Sequence, residues 1–424
     1  MKSPFKFVLL SATVAALLSA CATAPAAAPA APAAGAAAAT EAPAAGGEVI
    51  RFYSSLPLTG SSAAQSITLV NAIKMAIEQQ TDAGKVCEGK FTIDYQSLDD
   101  ATASAGQWDA SQEQANANKA VADPDAMVYI GTFNSGAAKV SIPILNQATP
   151  PLVMISPANT NVGLTKPFDA GEPEKYYPSG KRNYVRVVTA DDVQGSIAAK
   201  WAQSLGIKKI YILDDTQVYG KGLADVFEKT AKEIGLEVAG RDGIDGKASD
   251  YKALATKIKG TGPDAIYFGG ITQANAGQLL KDIRAAGITG KFIGADGILD
   301  KAFIEAAGSD IAEGVIATLG GTPKGDLPEK GKKFYTDYAA KFGGEPEAYA
   351  IYGYESASVA IKAVSTVCKK DRQAILDAVF ATKDFQGVLG TWSFDERGDT
   401  SLSGMVGNEV KGGAWTEMGA LSFK

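Results

Sequence analysis

The 424-residue chain contains no histidine and only three cysteines. The lack of histidine excludes catalytic triads with an imidazole base, histidine-ligated zinc and imidazole pH switches. Cys21 lies close to the start of the chain, so only Cys87 and Cys368 could bind a metal within a folded domain. Two thiolates alone make a poor zinc site. The sequence therefore predicts neither a metal centre nor a cofactor.

Basic clusters and nucleotide motifs are also missing. The 41 Lys and Arg residues are outnumbered by 47 Asp and Glu residues, which gives a formal charge of -6 and argues against a nucleic-acid partner. No Gly-x-x-x-x-Gly-Lys-Ser/Thr motif occurs, and no Gly-x-Gly-x-x-Gly follows the first predicted strand. No nucleophile–base pair emerges either, so we do not expect an enzyme.

The first residues have the features of a secretory signal. Lys2 and Lys6 precede a largely apolar run at residues 7–18, which is too short to span a bilayer. The run ends at Leu18-Ser19-Ala20-Cys21, which resembles the lipobox of bacterial lipoproteins. We expect a signal peptide at 1–20 and an acylated Cys21. The alternative is an ordinary signal peptide that happens to contain a cysteine.

Residues 21–48 lack the side chains that build a core. Residues 22–47 include 16 Ala, 4 Pro and 3 Gly, with Glu41 as the only charge. This composition predicts a tether rather than a domain. About 377 residues remain from Glu48 onward, which suggests two domains of ordinary size or one bilobed body.

Short β-branched or aromatic segments then alternate with segments of helical spacing. In the first half we predict strands at 49–56, 91–98, 127–131 and 152–155, and helices at 65–80, 112–121 and 136–147. A second half repeats this order, with strands at 183–188, 209–213, 237–243, 265–268 and 291–294, and helices at 192–205, 220–234, 251–259, 274–286 and 301–307. Such alternation predicts two α/β halves with parallel sheets.

The last hundred residues follow a different order. We predict an extended segment at 314–319, helices at 328–342, 347–367 and 372–379, and strands at 390–394 and 404–410. No low-complexity linker separates the two halves, which favours close association of the halves.

Ligands of open parallel sheets bind at the carboxyl ends of the strands. Ser135 follows a predicted strand and begins a helix, where free amide groups favour an anion such as a carboxylate. Asp296 lies in a glycine-rich loop after another strand, where it could pair with an ammonium group. Both residues have an ordinary alternative, because Ser135 could simply cap the helix and Asp296 could cap the next helix or form a turn.

Seven short segments along the chain have a characteristic order: Leu58-Thr59-Gly60, Asp99-Asp100, Met154-Ile155-Ser156-Pro157-Ala158-Asn159-Thr160-Asn161, Gln217-Val218-Tyr219-Gly220-Lys221-Gly222, Tyr267-Phe268-Gly269-Gly270, Gly294-Ala295-Asp296-Gly297 and Phe394-Asp395-Glu396-Arg397-Gly398-Asp399. This order resembles that of the leucine/isoleucine/valine-binding proteins of ABC importers. Each segment alone is a weak signal, but the resemblance extends from residue 49 to about residue 410 and follows a lipoprotein-like signal.

The resemblance implies a type I periplasmic-binding fold, in which two Rossmann-like α/β lobes with parallel central sheets are joined by a three-crossing hinge. Lobe 1 would comprise 49–188 and lobe 2 would comprise 189–318. Residues 319–389 would return to lobe 1, and 390–424 would form the third crossing and the lobe 2 tail. The crossings themselves would lie near 186–189, 317–320 and 388–391.

The resemblance also implies roles for individual residues. Ser135, Ala158 and Thr160 would hold the ligand's α-carboxylate and contribute to its amino-group site. Asp296 would be the anionic partner of the ammonium group, at a position where the family usually has glutamate. The side-chain pocket would be lined by Tyr219, Phe133, Ile271 and Tyr352.

Three features bear on how far the resemblance extends. Gln65 lies where relatives often place an aromatic ring against the ligand, which weakens a prediction of branched-chain specificity. Cys87 and Cys368 would both lie on lobe 1 and could form a disulfide, with two buried free thiols as the alternative. The segment 168–182 is longer than the usual connection and has no assigned role, with packing against the lobe and contact with the permease as the two alternatives.

We therefore expect a lipid-anchored, extracytoplasmic binding protein that captures an amino acid, branched-chain or otherwise hydrophobic, by lobe closure. Its partners would be the permease and ATPase subunits of an ABC importer, and the chain would be a monomer. The lipid alone would hold it at the periplasmic face or cell surface of a bacterial membrane. The alternatives are the same fold binding an amide, an aromatic acid or another small metabolite, or a sensory receptor.

Overall fold

The computed structural model describes residues 47–60 and 63–423. The predicted signal peptide, Cys21 and nearly all of the tether therefore lie outside the described residues. Within these two ranges, no helix has the length and apolar character needed to cross a membrane. The described residues form two α/β lobes, each built on a mostly parallel sheet.

The first lobe has a six-stranded sheet, whose strands are β1 (Glu48–Leu56), β2 (Lys85–Val86), β3 (Phe91–Asp99), β4 (Ala126–Gly131), β5 (Val153–Ser156) and β6 (Tyr184–Arg186). The strands lie in the order β2-β3-β1-β4-β5-β6, and only β2 runs antiparallel to its neighbour. All residues of β4 are buried, as expected for a central parallel strand covered on both faces. The connecting helices are α1 (Ala63–Gln80), α2 (Ala110–Ala122) and α3 (Ser135–Gln147).

The second lobe has a seven-stranded sheet. Its parallel strands are β7 (Lys209–Asp214), β8 (Glu237–Gly243), β9 (Ala265–Gly269), β10 (Lys291–Gly294) and β11 (Ile316–Gly320). Its helices are α4 (Asp191–Ser204), α5 (Val218–Glu233), α6 (Lys252–Thr261), α7 (Ala276–Ala285), α8 (Lys301–Ala307) and α9 (Ser309–Ala312).

The remaining elements complete both lobes. They are α10 (Glu329–Phe342), α11 (Ala350–Val367), α12 (Arg372–Phe380), β12 (Phe385–Gln386), β13 (Thr391–Trp392), β14 (Met405–Lys411) and β15 (Ala414–Ala420). The three helices pack on lobe 1, where the backbone of Gly353 in α11 lies against Leu69 of α1. The last two strands extend the second sheet in the order β15-β14-β11-β10-β9-β7-β8, with antiparallel pairing.

The chain passes between the lobes three times, which confirms the predicted fold class. The first passage follows β6, the second follows β11, and the third precedes β14. Trp392 and Phe394 are still packed in the core of lobe 1. Asp399 pairs with Arg186 of β6, with 2.7 Å between Oδ1 and Nε. The third passage therefore begins after Asp399, later than the expected boundary at 390.

The predicted strands and helices of both halves are confirmed, with shifts of a few residues at their ends. The short elements β2, β12 and α9 and the edge strand β15 were not predicted. Most residues of β15 are exposed, so its sequence lacks the alternation that a half-buried strand shows. The predicted strand at 390–394 is reduced to the two residues of β13.

Two further features belong to lobe 1. Cys87, just after β2, and Cys368, at the end of α11, form a disulfide with 5.6 Å between their Cα atoms. Tyr176 and Tyr177, in the long segment 168–182, are buried in a lobe 1 core cluster. The Tyr177 hydroxyl donates a 2.6 Å hydrogen bond to the Leu164 carbonyl. This segment therefore has a packing role within its own lobe.

Candidate functional site

A small cavity lies between the lobes, where strands of both sheets end. It encloses about 20 Å³ and is lined by Phe133, Asn134, Ser135, Ala158, Tyr219, Ile271, Asp296, Gly297 and Tyr349. The carboxyl ends of β4 and β5 supply most of its lobe 1 residues, with Tyr349 coming from the start of α11, and those of β9 and β10 supply most of its lobe 2 residues. A cavity of this size holds about one water molecule, so the lobes lie close together in this structure.

Asp296 is the charged residue at the centre of the cavity wall. Its Oδ1 accepts a 2.9 Å hydrogen bond from the Tyr219 hydroxyl and a 2.5 Å bond from Gln194 Nε2. The Tyr349 hydroxyl donates to the other carboxylate oxygen. Asp296 does not cap the next helix, because Asp300 accepts the 2.7 Å bond from the first turn of α8. The carboxylate is therefore held at the cavity by donors from three separate segments.

The charge and hydrogen bonding of the Asp296 carboxylate suit the binding of a cationic group. Burial raises the pKa of Asp296, while hydrogen bonds from Tyr349, Gln194 and Tyr219 oppose that rise. Burial also raises the pKa of both tyrosine hydroxyls well above the usual value, so these groups stay protonated and act as donors. A buried carboxylate next to a cavity can be stabilised further by a ligand ammonium group.

The start of α3 forms the opposite wall. Asn134 occupies the cap position and makes no capping hydrogen bond through its side chain, while Ser135 is the first helical residue. Ser135 Oγ accepts a 3.3 Å bond from the amide of Asn161. The first amide groups of a helix have no carbonyl partner within that helix, and they favour an anion. This wall can therefore bind a ligand carboxylate.

Apolar groups cover the remaining sides. The Phe133 and Tyr349 rings meet edge to face, with 5.4 Å between their centroids and an interplanar angle of 73°. Ile271 adds an aliphatic surface from lobe 2. A Cβ atom on Gly297 would lie 2.5 Å from the Gly270 carbonyl oxygen, so the backbone requires glycine here. The cavity thus combines one anionic group, one helix start and an apolar wall.

Three predicted site residues do not line the cavity. Gln65 is buried in α1, and its Nε2 donates a 3.4 Å bond to the Leu299 carbonyl of lobe 2. Thr160 is buried near the first crossing. Tyr352 lies one helical turn beyond Tyr349 and lines a separate cavity at the hinge. The structure brings Ser135, Ala158, Tyr219, Asp296, Phe133 and Ile271 together around the first cavity.

The sequence prediction missed Asn134, Gly297 and Tyr349, which line the cavity, and Gln194, which donates to Asp296. It also missed Asp191, a buried residue of α4. Tyr349 precedes α11 in a run of aromatic residues that otherwise read as core. Gln194 and Asp191 lie in the first turn of α4, where polar residues are ordinary. The sequence feature that could have identified the start of α4 as part of the site is the acidic pair Asp191-Asp192, which directly follows the predicted first crossing.

Polar contacts join the lobes on one side of the cavity. Trp108 Nε1 of lobe 1 donates a 3.1 Å bond to Gln217 Oε1 of lobe 2, and Gln217 Nε2 donates to Gln107 at 3.3 Å. Asn161 Nδ2 donates a 3.1 Å bond to the Val218 carbonyl. The Trp108 ring covers Gly136 so closely that a Cβ there would lie 2.5 Å from it. These contacts require the lobes to be close together.

Among residues 47–60 and 63–423, no group of three or more Cys, Asp or Glu side chains is arranged to hold a metal ion. The polar groups at the cavity instead suit a small organic ligand that carries both charges. One wall presents the carboxylate of Asp296, and the start of α3 presents helix amides.

Comparison with known proteins gives consistent matches. A family model described as periplasmic binding protein matches residues 50–414. Leu/Ile/Val-binding protein homolog 1 of Brucella suis biovar 1 (strain 1330) is 31% identical over 355 residues, which cover 83% of this chain and 87% of that protein.

Solved structures share the same architecture. The leucine binding protein LivK from Thermotoga maritima MSB8 has a TM-score of 0.77 at 26% identity, covering 88% of this chain and 99% of that chain. A solute binding protein of an ABC transporter from R. palustris, solved with benzoate, has a TM-score of 0.73 at 18% identity, covering 88% of this chain and 97% of that chain. Because the family model and the Brucella relative both match most of the sequence, the chain belongs to the Leu/Ile/Val-binding protein family of periplasmic binding proteins.

Proposed function

We propose that the protein is the extracytoplasmic substrate-binding subunit of an ABC importer and that it captures an amino acid with an apolar side chain. The observation that carries this proposal is the buried carboxylate of Asp296, held by three donors at a cavity between the lobes. A buried carboxylate of this kind is a suitable partner for a ligand ammonium group.

The opposite wall accounts for the other charge of an amino acid. The amide groups at the start of α3 and the hydroxyl of Ser135 would bind the α-carboxylate, with Ala158 and Thr160 contributing from the loop after β5. The apolar side chain would then contact Phe133, Ile271 and Tyr349. Such a division of polar and apolar groups favours a zwitterion with a hydrophobic side chain.

Binding of the ligand would be coupled to closure of the two lobes. The carboxylate partners belong to lobe 1, while Asp296 and Tyr219 belong to lobe 2, so only a closed protein contacts both ends of the ligand. A ligand therefore favours the closed form by the contacts that it gains there. The cavity of about 20 Å³ is smaller than an amino acid, so the lobes would have to lie further apart than in this structure both for entry and around the bound ligand.

We also propose that the lipid on Cys21 anchors the protein outside the cytoplasm and that the closed monomer delivers its ligand to a permease. The lipobox-like segment and the family membership support this arrangement. Cys21→Ser should release the protein from membranes of an expressing bacterium, whereas the unchanged protein should stay with the membrane fraction.

One alternative ligand class has specific support. The R. palustris relative was solved with benzoate, which has no ammonium group, and Gln65 replaces the aromatic ring often found in relatives. An aromatic acid or an amide would leave Asp296 without a cationic partner.

A thermal-shift panel separates these possibilities. The protein is unfolded, dialysed and refolded to remove bound ligand, then heated with single amino acids, amides or aromatic acids. At a hundredfold excess over Kd, a ligand adds about 2.7 kcal/mol of stability. Stabilisation by leucine, isoleucine or valine supports the proposal, and stabilisation by benzoate alone supports the alternative.

A further inference from the structure

A second carboxylate, that of Asp191, is buried next to the ligand site. Asp191 is the first residue of α4, at the first crossing between the lobes, and its amide donates a 2.8 Å bond to the Thr160 carbonyl. Its exposed fraction is 0%. Within the described part of the chain, neither carboxylate oxygen accepts a hydrogen bond of ordinary geometry.

Asp191 lies on the same helix, α4, as Gln194, which is a hydrogen-bond partner of Asp296. Gln194 lies one turn further along α4 on the same face, and its Nε2 contacts Asp296 at 2.5 Å. Burial raises the pKa of Asp191 well above the usual range, and the negative charge of Asp296 adds to this rise. Gln194 thus contacts Asp296 directly, and Asp191 lies on the same face of α4, where the charge of Asp296 acts on it.

The groups around Asp191 leave its charge largely unbalanced. Arg186 lowers the pKa of Asp191, but its Nε is 2.7 Å from Asp399 and its Nη1 donates to the carbonyls of Asn159 and Asn161. The nearby Thr160 hydroxyl offsets the effect of burial only in part, and the next residue, Asp192, adds another negative charge.

The hydroxyl of Tyr267 also interacts electrostatically with Asp191 and Asp296. Its ring is fully buried in the lobe 2 core, and the charges of Asp191 and Asp296 add to the effect of burial in raising the pKa of its hydroxyl well above the usual value. This hydroxyl makes no hydrogen bond within the described residues and stays protonated. Tyr267 therefore brings no positive charge to the acid pair.

A buried carboxyl group without hydrogen bonds destabilises a protein unless something else compensates. Thr160 Oγ1 is likewise buried without a hydrogen bond of ordinary geometry in the described residues. An ammonium group has three N–H donors and therefore needs three acceptors once it is removed from water. Asp296, Asp191 and Thr160 offer three acceptors near the first crossing.

We infer that Asp191 is a second anionic partner of the ligand's amino group, so that the site requires a ligand with a cationic amine. This inference rests on the proposed function and deepens it, because it names the group that the ligand must carry. A ligand with a carboxylate and no amine would meet two buried acids and no cation to offset them. The acid pair would thereby separate amino acids from aromatic and aliphatic acids.

The test uses Asp191→Asn with Asp192→Asn as the matched control. Asp192 is the next residue and pairs with Lys166 instead, at 2.8 Å. Titration calorimetry measures the affinity of each protein for leucine and for 4-methylpentanoate, which keeps the carboxylate and side chain but lacks the amine. Asp191→Asn should weaken leucine binding about ten- to a hundredfold and leave 4-methylpentanoate unchanged or bound more tightly. Asp192→Asn should leave both affinities within about twofold of the parent protein.

Equal loss of both ligands would show a structural role for Asp191 and overturn the inference, as would leucine affinity that is unchanged in Asp191→Asn. If that variant does not fold, Asp191→Ser makes the same comparison with a smaller side chain. Failure of the parent protein to bind any amino acid would refute the proposed function itself, which is a separate outcome.

Discussion

The Tyr219 hydroxyl donates a 2.9 Å hydrogen bond to Asp296 Oδ1 and accepts a 3.2 Å bond from the amide of Gly297. One phenol group thus fixes both the carboxylate and the backbone that carries it. Tyr219→Phe should weaken amino-acid binding about tenfold, because hydrogen bonds to charged groups contribute about 1.5–3 kcal/mol. Calorimetry checks this prediction, and an unchanged affinity would contradict it.

Tyr349 and Tyr352 form a matched pair one helical turn apart. The Tyr349 hydroxyl donates to Asp296, whereas the Tyr352 hydroxyl donates to the Gly320 carbonyl at the end of β11. Tyr349→Phe should therefore lower the affinity for amino acids more than for ligands without an amine. Tyr352→Phe should change the affinities for both classes by the same factor. The reverse pattern would place Tyr352 at the ligand.

This pair also shows what the sequence could and could not predict. The resemblance named Tyr352 for the ligand pocket, whereas Tyr349 lines the cavity. Helical spacing places both residues near the same face, so the sequence could not choose between them. The resemblance assigned Asp296 to the site, after its loop position had left a cap or turn open, whereas its partners Gln194 and Tyr349 come from distant segments. Such partners depend on tertiary packing, which no local pattern encodes.

The fold was predicted more fully than the site. Strand and helix periodicity identified the two halves, because buried parallel strands are continuous apolar runs. The exposed strand β15 and the two-residue strand β2 were missed, since neither has enough buried residues to create a pattern. The third passage begins after Asp399 because Trp392 and Phe394 remain in the lobe 1 core, a packing preference that turn residues alone do not reveal.

The contact between Trp108 and Gln217 predicts a ligand-independent contribution to closure. Gln217→Ala removes the 3.1 Å bond from Trp108 and the 3.3 Å bond to Gln107 across the lobes. We expect faster ligand release and a few-fold lower affinity for every ligand, because neutral hydrogen bonds contribute about 0.5–1.5 kcal/mol each. Stopped-flow measurement of release checks this, and a loss confined to one ligand would contradict it.

Glu113 predicts a pH dependence of stability. Burial raises the pKa of this carboxyl group from 4.5 to about 7, although it accepts hydrogen bonds from Ser55 and Tyr129. The folded chain then binds the proton more tightly than the unfolded chain, so stability falls as pH rises from about 4.5 to about 7.

Glu113→Gln should make this fall smaller and raise the free energy of unfolding at pH 8 by a few kcal/mol, while other buried carboxyl groups such as Asp215 and Glu355 keep part of it. Urea unfolding at pH 5 and pH 8 measures the effect. Glu233→Gln, at an exposed position of α5, serves as the control and should keep the pH dependence of the parent protein. An equal pH dependence in Glu113→Gln would contradict the prediction.

The buried ion pair of Arg186 and Asp399 ties the third passage to β6. Hydrogen bonding and the positive charges of Arg186 and Lys166 overcome burial and lower the pKa of Asp399 to about 2. Its contribution to stability is thus present above about pH 4 and is lost as pH falls toward 2. Asp399→Asn should lower the free energy of unfolding at pH 7 by about 3–5 kcal/mol, because it leaves a buried arginine unpaired. A loss below 1 kcal/mol would contradict this view.

Calorimetric titration of the refolded protein and of Asp296→Asn with leucine, isoleucine and valine tests the central claim most directly. The account predicts that the parent protein binds at least one of them and that Asp296→Asn binds it about a hundredfold more weakly or worse, since an ammonium group would lose its buried partner. Equal binding by the two proteins would contradict the account.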